Sequence, residues 1–329
     1  MKHLILLLLL ALSLNSIAVL ASDENKIKSP KNCFRGNFSS YDTWLNFLSK
    51  KPRFNKERFM QRFPEKKFND RKANVDCVSF IYKVGDLNIE GFYVKPKTPT
   101  NKKFPVVIYN RGGNAGHGYV NFAGKMDFIS DIATAGFMVI GSQYRGSSSK
   151  YIRNNGQDEF GGKDVEDVVE LVNLLQEIPE ADATKIALVG WSRGAKQAFL
   201  AAEKIPNVKT IVAIAGNADA IKALEWRPAM ENVYLARVPG FKENRLEELK
   251  KRSVLYRLDK LPRQLPVLLI HGTGDKKVNV QQSEKLARAF SLRKQPHKLV
   301  IYPGDGHGLF KNRQELNTEV TSWLKQLTL

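Results

Sequence analysis

The sequence predicts an α/β fold, with a mostly parallel, twisted sheet covered by helices on both faces. Three observations carry this. From Pro105 onward, short apolar runs alternate with helical patterns. The runs are nearly continuous in Val, Ile, Leu and Ala, as strands buried on both faces require. One of them, Lys185 to Val189, leads through Gly190-Trp191-Ser192-Arg193-Gly194 into the strong helix former Ala195 to Glu203. With 329 residues, 43% of them hydrophobic, the chain can bury a full core, most simply as one large domain with an appendage.

The chain opens with Lys2 and His3, a leucine-rich run from Leu4 to Leu14, and Val19-Leu20-Ala21 before Ser22. These are the charged, apolar and small-residue regions of a secretory signal peptide, residues 1–21, with cleavage expected after Ala21. Ser13, Asn15 and Ser16 interrupt the run, which falls short of the roughly 20 apolar residues that span a bilayer. The expectation is therefore an exported protein, periplasmic or extracellular, without stable membrane insertion.

Residues 22–74 read as a helical N-terminal extension, polar and basic with spaced aromatics. Trp44, Leu45, Phe47 and Leu48 share one face, and Ser40 or Asp42 is placed to cap that helix. The extension either covers the mouth of a site or braces the outside of the sheet; bracing is the simpler reading. Residues 75–329 form the main domain. It starts with a hairpin of alternating strands about Gly85-Asp86, from Val75 to Val94. A surface loop from Pro96 to Phe104 follows, then the strand Pro105 to Tyr109. After it come a helix near Phe128 to Ala135, strand Phe137 to Gly141, a helix from Asp164 to Leu175, the strand before Ser192 and the helix after it. Strands Thr210 to Ala215 and Pro266 to Ile270, a helix from Ser283 to Phe290, strand Lys298 to Tyr302 and a last helix from Glu315 to Leu327 complete the alternation. Residues 217–263 break the rhythm. They are too long for a simple connection, contain helical pieces at Ala218 to Trp226 and Leu246 to Leu255, and read as a cap-like insertion over the site.

Ligands of such sheets bind beyond the carboxyl ends of the strands, where the chemically useful residues converge. A serine on a glycine-flanked strand-to-helix turn is exposed as a nucleophile, but its hydroxyl needs a base, an orienting acid and donors for the oxyanion. The chain after the leader holds four histidines: His117, His271, His297 and His307. His307 lies in a glycine-rich loop directly after the last strand and is the expected base. His297 precedes that strand and points to the opposite edge, and His271 ends the preceding strand as a structural residue. Asp275, four residues past His271, is placed to hold the His307 ring. Asp305 is the competing acid, but it sits two residues from the base on the same tight loop. The oxyanion hole is expected from the N–H of Arg193 and a donor in Asn110-Arg111-Gly112-Gly113, with Gly112 allowing close approach. The order Ser192, Asp275, His307 is that of an α/β-hydrolase.

In combination, Gly190 to Gly194, His271-Gly272-Thr273-Gly274-Asp275-Lys276-Lys277-Val278, the His307 loop, Gln143 to Ser147, Phe160 to Val168 and Ser253-Val254-Leu255 resemble the catalytic domain of the prolyl oligopeptidase family of serine peptidases. The resemblance covers about Cys77 to Leu329. It implies a serine hydrolase that cleaves short peptides or acyl-peptides through an acyl-enzyme, with Ser192 as nucleophile, Asp275 as orienting acid and His307 as base. Many members carry a β-propeller ahead of this domain; here only residues 22–74 precede the hairpin, so gating of substrate size is not carried over. In several members a tyrosine hydroxyl serves the oxyanion hole from the position of Asn110. Its side-chain amide is expected to donate instead, an effect of roughly 3 kcal/mol. A carboxylesterase acting on small or carbohydrate-linked acyl esters shares the triad and stands as the alternative. A non-catalytic binding protein on the same fold would need a broken triad.

Cys33 and Cys77 are the only cysteines, and in an oxidising compartment such a pair reads as a candidate disulfide, with two free thiols the alternative. No Cys and His cluster has metal-ligand spacing and no dinucleotide fingerprint is present, so neither metal nor cofactor is expected. The formal charge is +19, or +18 once Lys2 leaves with the leader. The basic residues are scattered among acidic ones, which argues against nucleic acid as a partner. Arg237, Lys242, Arg245, Lys250, Lys251 and Arg252 in the insertion could favour acidic substrates, although lysine-rich helix surfaces are ordinarily just solvated.

Overall fold

The computed structural model describes residues 25–97 and 102–328. The expected leader, and part of the loop after Pro96, lie outside the described residues. Nine strands form one sheet: β1 (Lys28–Asn32), β2 (Val75–Val84), β3 (Leu87–Pro96), β4 (Phe104–Asn110), β5 (Met138–Ser142), β6 (Ala181–Trp191), β7 (Val208–Ile214), β8 (Val267–Gly272) and β9 (His297–Tyr302). Their order is β1-β2-β3-β5-β4-β6-β7-β8-β9. The pairs β4 with β5, β4 with β6, and β6 through β9 are parallel, while β1, β2, β3 and β5 pair antiparallel. This is the α/β-hydrolase arrangement that the alternation predicts.

Side chains of the central strands alternate between two cores, because successive residues of a strand face opposite ways. Val106, Ile108, Ile186 and Leu188 pack toward the helices Arg193–Ala202 and Gln281–Leu292. Val107, Ala187 and Val189 pack toward helix Arg313–Thr328 and the helical stretch at 122–134. With both faces covered, the strands carry no polar face, which is why they read as apolar runs.

The N-terminal segment contains helices Tyr41–Ser49, Lys56–Arg62 and Glu65–Asn74. Ser40 caps the first: its hydroxyl accepts from the Thr43 N–H at 3.1 Å, and Thr43 Oγ1 accepts from the Ser40 N–H at 3.1 Å. Trp44, 1% exposed, packs edge-on against Phe59 at 4.7 Å and against Phe122 of the main domain at 4.9 Å. The expectation of a purely helical extension needs one correction. Residues 28–32 form β1 at the sheet edge, with Cys33 bonded to Cys77 beside it. Lys28-Ser29-Pro30-Lys31-Asn32 has no apolar alternation, and proline and lysine are what an edge strand carries, so no hydrophobic signal marks it.

The insertion forms helices Ala220–Trp226, Met230–Arg237 and Arg245–Lys251. The middle one has no counterpart in the sequence reading. Leu224, Tyr234, Val238, Phe241 and Leu249 gather with Phe160 into a small separate core.

Candidate active site

β6 lies at the centre of the sheet, and its last residue delivers the chain to Ser192 at φ 59°, ψ −122°. That left-handed backbone is strained for a residue with a Cβ, at a cost on the order of 1–3 kcal/mol. The surroundings hold it. The Ser192 N–H donates to Ile214 O at 2.8 Å, and the helix Arg193–Ala202 that follows is buried along its whole length. The flanking glycines are obligatory for packing. A Cβ at Gly190 would lie 2.1 Å from Gly194 O, and one at Gly194 would lie 1.9 Å from Asn110 O. Strand, turn and helix therefore close on one another only around glycine, and Ser192 is lifted toward the carboxyl edge.

The loops after β8 and β9 meet at the same edge. A Cβ at Gly272 would stand 2.3 Å from Asp305 O, so glycine lets the two loops touch. Gly274 N–H donates to Asp305 O at 2.9 Å and Thr273 N–H to Tyr302 O at 3.1 Å. Trp191, the residue before the serine, donates its indole N–H to His307 O at 3.0 Å and ties the histidine loop to the turn. His307 Nδ1 and Asp275 Oδ2 are 2.7 Å apart. With Asp275 accepting at Nδ1, Nε2 is the ring nitrogen left to take the serine proton.

Every acceptor position of Asp275 is used. Oδ1 takes the N–H groups of Lys277 and Val278 at 2.7 and 3.0 Å, and Oδ2 also faces His271 Nε2 at 3.2 Å. Burial favours the neutral acid, but the hydrogen bonds from His271 and His307, the His307 charge and the Val278 N–H outweigh it. They hold this carboxyl well below the usual carboxylate range. His271 is fully buried, with Nδ1 2.7 Å from Ser283 Oγ and Nε2 3.0 Å from Val278 O. Two acceptors at Nε2 place its proton there and make it a positioning residue for Asp275. Asp305 is engaged elsewhere: it accepts from the Gly306 and Asn312 N–H groups and the Asn312 amide at 2.8 to 3.0 Å, building the turn into the last helix. His297 stands at the far end of β9, against Ser291 and Gln295.

Arg193 is the first residue of its helix, so its N–H has no intrahelical acceptor and sits at the positive end of the dipole. Gly112 comes against the serine: a Cβ there would lie 3.1 Å from Ser192 Cβ. The expectation for Asn110 is corrected. Asn110 is fully buried and its Nδ2 turns back to donate to Ile108 O at 3.2 Å, so its amide does not face the serine. At the strand end the side chain still follows the pleat into the protein, and the glycines begin two residues later.

Two buried arginines shape the loop that carries Gly112. Arg111 donates to the carbonyls of Gln143, Gly112, His117 and Ala115. Burial, then the nearby Arg193 charge, lower its pKa to about 10. Arg193 forms paired bonds to Asp158 at 2.7 Å each, reaches Asp164 at 2.5 Å and donates to Gly113 O at 3.0 Å. The motifs at Arg111, Gln143 to Ser147, Phe160 to Val168 and Gly190 to Gly194 contain most of these residues, but the pairing between them is not legible, because the members are distant in the chain.

Ser192, His307, Gly112 and Arg193 all border one cavity of about 420 Å³. Ala223, Trp226, Arg227, Met230 and Val233 of the insertion form its roof, and none of residues 25–74 borders it. The N-terminal segment is thus a brace against the sheet.

Residues 125–328 match the prolyl oligopeptidase family. The chain belongs to this family. It is a serine hydrolase of peptidase type. A Bacillus subtilis peptidase, YtmA, is 27% identical over 263 residues, covering 79% of this chain and 98% of its own. Human prolyl endopeptidase FAP is 28% identical over 266 residues, covering 78% of this chain but 32% of its own. Against such endopeptidases the chain spans about a third of the length. The structure of Pyrococcus horikoshii acylaminoacyl peptidase superposes with a TM-score of 0.63 at 19% identity, over 78% of this chain and 42% of that one, a likeness of fold.

Proposed function

We propose that the protein is an exported serine peptidase that acts on short peptides through an acyl-enzyme. The observation that carries the chemistry is the convergence of Ser192, on its strained turn, with the His307 and Asp275 pair at 2.7 Å in one cavity. Ser192 Oγ attacks the scissile carbonyl while His307 Nε2 takes its proton. Asp275, kept ionised, stabilises the imidazolium, and the Arg193 and Gly112 backbone receives the oxyanion. The imidazolium then protonates the leaving amine, and water repeats the sequence on the acyl-enzyme.

The peptidase reading draws support from YtmA, described as an uncharacterized peptidase, which is matched over nearly its full length. Export draws support from the leader-like residues 1–21 and from the Cys33 to Cys77 bond, a pairing typical of oxidising compartments. One observation favours the carboxylesterase reading. Asn110 replaces the tyrosine donor of several relatives and its amide is turned away, so the oxyanion hole rests on backbone alone, and esters need less activation than amides. Matched amide and ester substrates decide between the two. Amide turnover is expected, and ester cleavage with no detectable amide cleavage overturns the peptidase assignment.

A further inference from the structure

The wall of the catalytic cavity carries five basic side chains, Arg111, Arg193, Lys196, Arg227 and Lys277, and among the described residues no Asp or Glu. Two of the five are committed. Arg111 is spent on backbone carbonyls, and Arg193 is locked to Asp158 and Asp164. Neither carboxylate hydrogen-bonds the other three: backbone N–H groups of Ala115, Phe160, Gly161 and Gly162, with the Gln197 amide, fill their remaining positions.

Lys196 lies beneath the cavity, 1% exposed, with its Nζ donating to Phe160 O at 3.0 Å and standing 4.2 Å over the Phe160 ring. Neither contact is a counter-ion. Burial, and then the Arg193 and Arg252 charges, push this amine well below the ordinary lysine range. Arg227 follows the helix Ala220–Trp226 of the roof, and Lys277 follows Asp275 on the opposite loop. Both are exposed, and neither forms an ion pair among the described residues. Four of the six residues in the basic cluster of the insertion behave in the opposite way. Arg245 pairs with Glu231, Lys250 with Glu247, and Lys251 and Arg252 with Glu248, and none of the four borders the cavity.

We infer that the cavity selects substrates bearing an acidic side chain, with Arg227 and Lys277 drawing the carboxylate in and Lys196 completing its recognition. The inference rests on the peptidase reading above, since it assigns the substrate class of that same cavity. A concave site of one sign with low-dielectric walls concentrates ligands of the other. A carboxylate reaching Lys196 gives its buried amine the charged hydrogen-bond partner that Phe160 O and the Phe160 ring do not supply. A charge-assisted hydrogen bond of this kind corresponds to a preference of roughly tenfold or more over the uncharged isostere.

Binding to the Ser192→Ala protein tests this apart from turnover. Calorimetric titrations compare N-acetylated short peptide amides in which a single Glu, moved through each position, is replaced by Gln. At one position Glu is expected to bind at least tenfold more tightly than Gln, with the gap narrowing as salt rises. Adding Lys196→Met should abolish most of the gap, and adding Arg227→Ala, at an exposed site that leaves folding intact, should narrow it. Equal binding of Glu and Gln peptides at every position, no binding of any Glu peptide, or a gap indifferent to Arg227→Ala overturns the inference. Wild-type protein that binds Glu peptides selectively yet cleaves none of the series overturns the peptidase reading and leaves the selectivity standing.

Discussion

Asp275 shows how far single residues govern the chemistry. Its carboxyl is held below the ordinary range by two imidazoles and two backbone N–H groups, so it stays ionised through the neutral range. The acid side of the kcat/KM profile should therefore rise with a slope of one, reporting the imidazole alone. A slope of two would show the carboxyl titrating as well. The linkage to stability has a definite sign. A carboxyl with a folded pKa depressed below about 4 contributes stability that is fully present above pH 4 and is lost as pH falls further. Asp275→Asn should lower kcat by about 10⁴-fold and also remove this part of the acid sensitivity. Ser192, Asp275 and His307 were legible in the sequence because each sits where a strand must end, next to glycines. Asn110 shows the limit of that reasoning: its position was right, but its rotamer follows local packing that spacing does not encode. The pairings of Arg111 and Arg193 were invisible for the same reason.

Elements were legible wherever burial writes a period into the chain. The hairpin about Gly85 and the parallel strands all appear where the apolar runs place them, since β2 and β3 alternate and β4 to β8 are buried on both faces. Strand β1 and helix Met230–Arg237 were not. The first is held by its edge pairing and by a disulfide, and the second packs only Tyr234 and its neighbours into a small local core. The disulfide is thus a working part of the N-terminal brace. It closes a separation of 44 residues, worth about 4 kcal/mol in a chain-entropy account. Replacing both cysteines by serine should lower the thermal midpoint, with a loss of roughly 2–4 kcal/mol in denaturant titrations and the serine site still competent once folded. Unchanged stability would show that the aromatic cluster around Trp44 holds the segment alone.

At the scale of the whole molecule, the sheet brings the loops at Gly112, Ser192, Asp275 and His307 to one edge, and the insertion roofs the space between them. The excess of positive charge is distributed to match: on helix Arg245–Lys251 and at Arg252 it is paired with glutamates, whereas at Arg227 and Lys277 on the cavity wall it is not. Family membership and the hydrolase fold follow from the sheet order and the residues matched, and the chemistry follows from what stands at its carboxyl edge. Labelling with a fluorophosphonate, followed by peptide mapping, tests that chemistry most directly. The account predicts one stoichiometric adduct on Ser192, absent from Ser192→Ala and strongly slowed in His307→Ala. Folded wild-type protein that takes no label, or takes it on another residue, would contradict it.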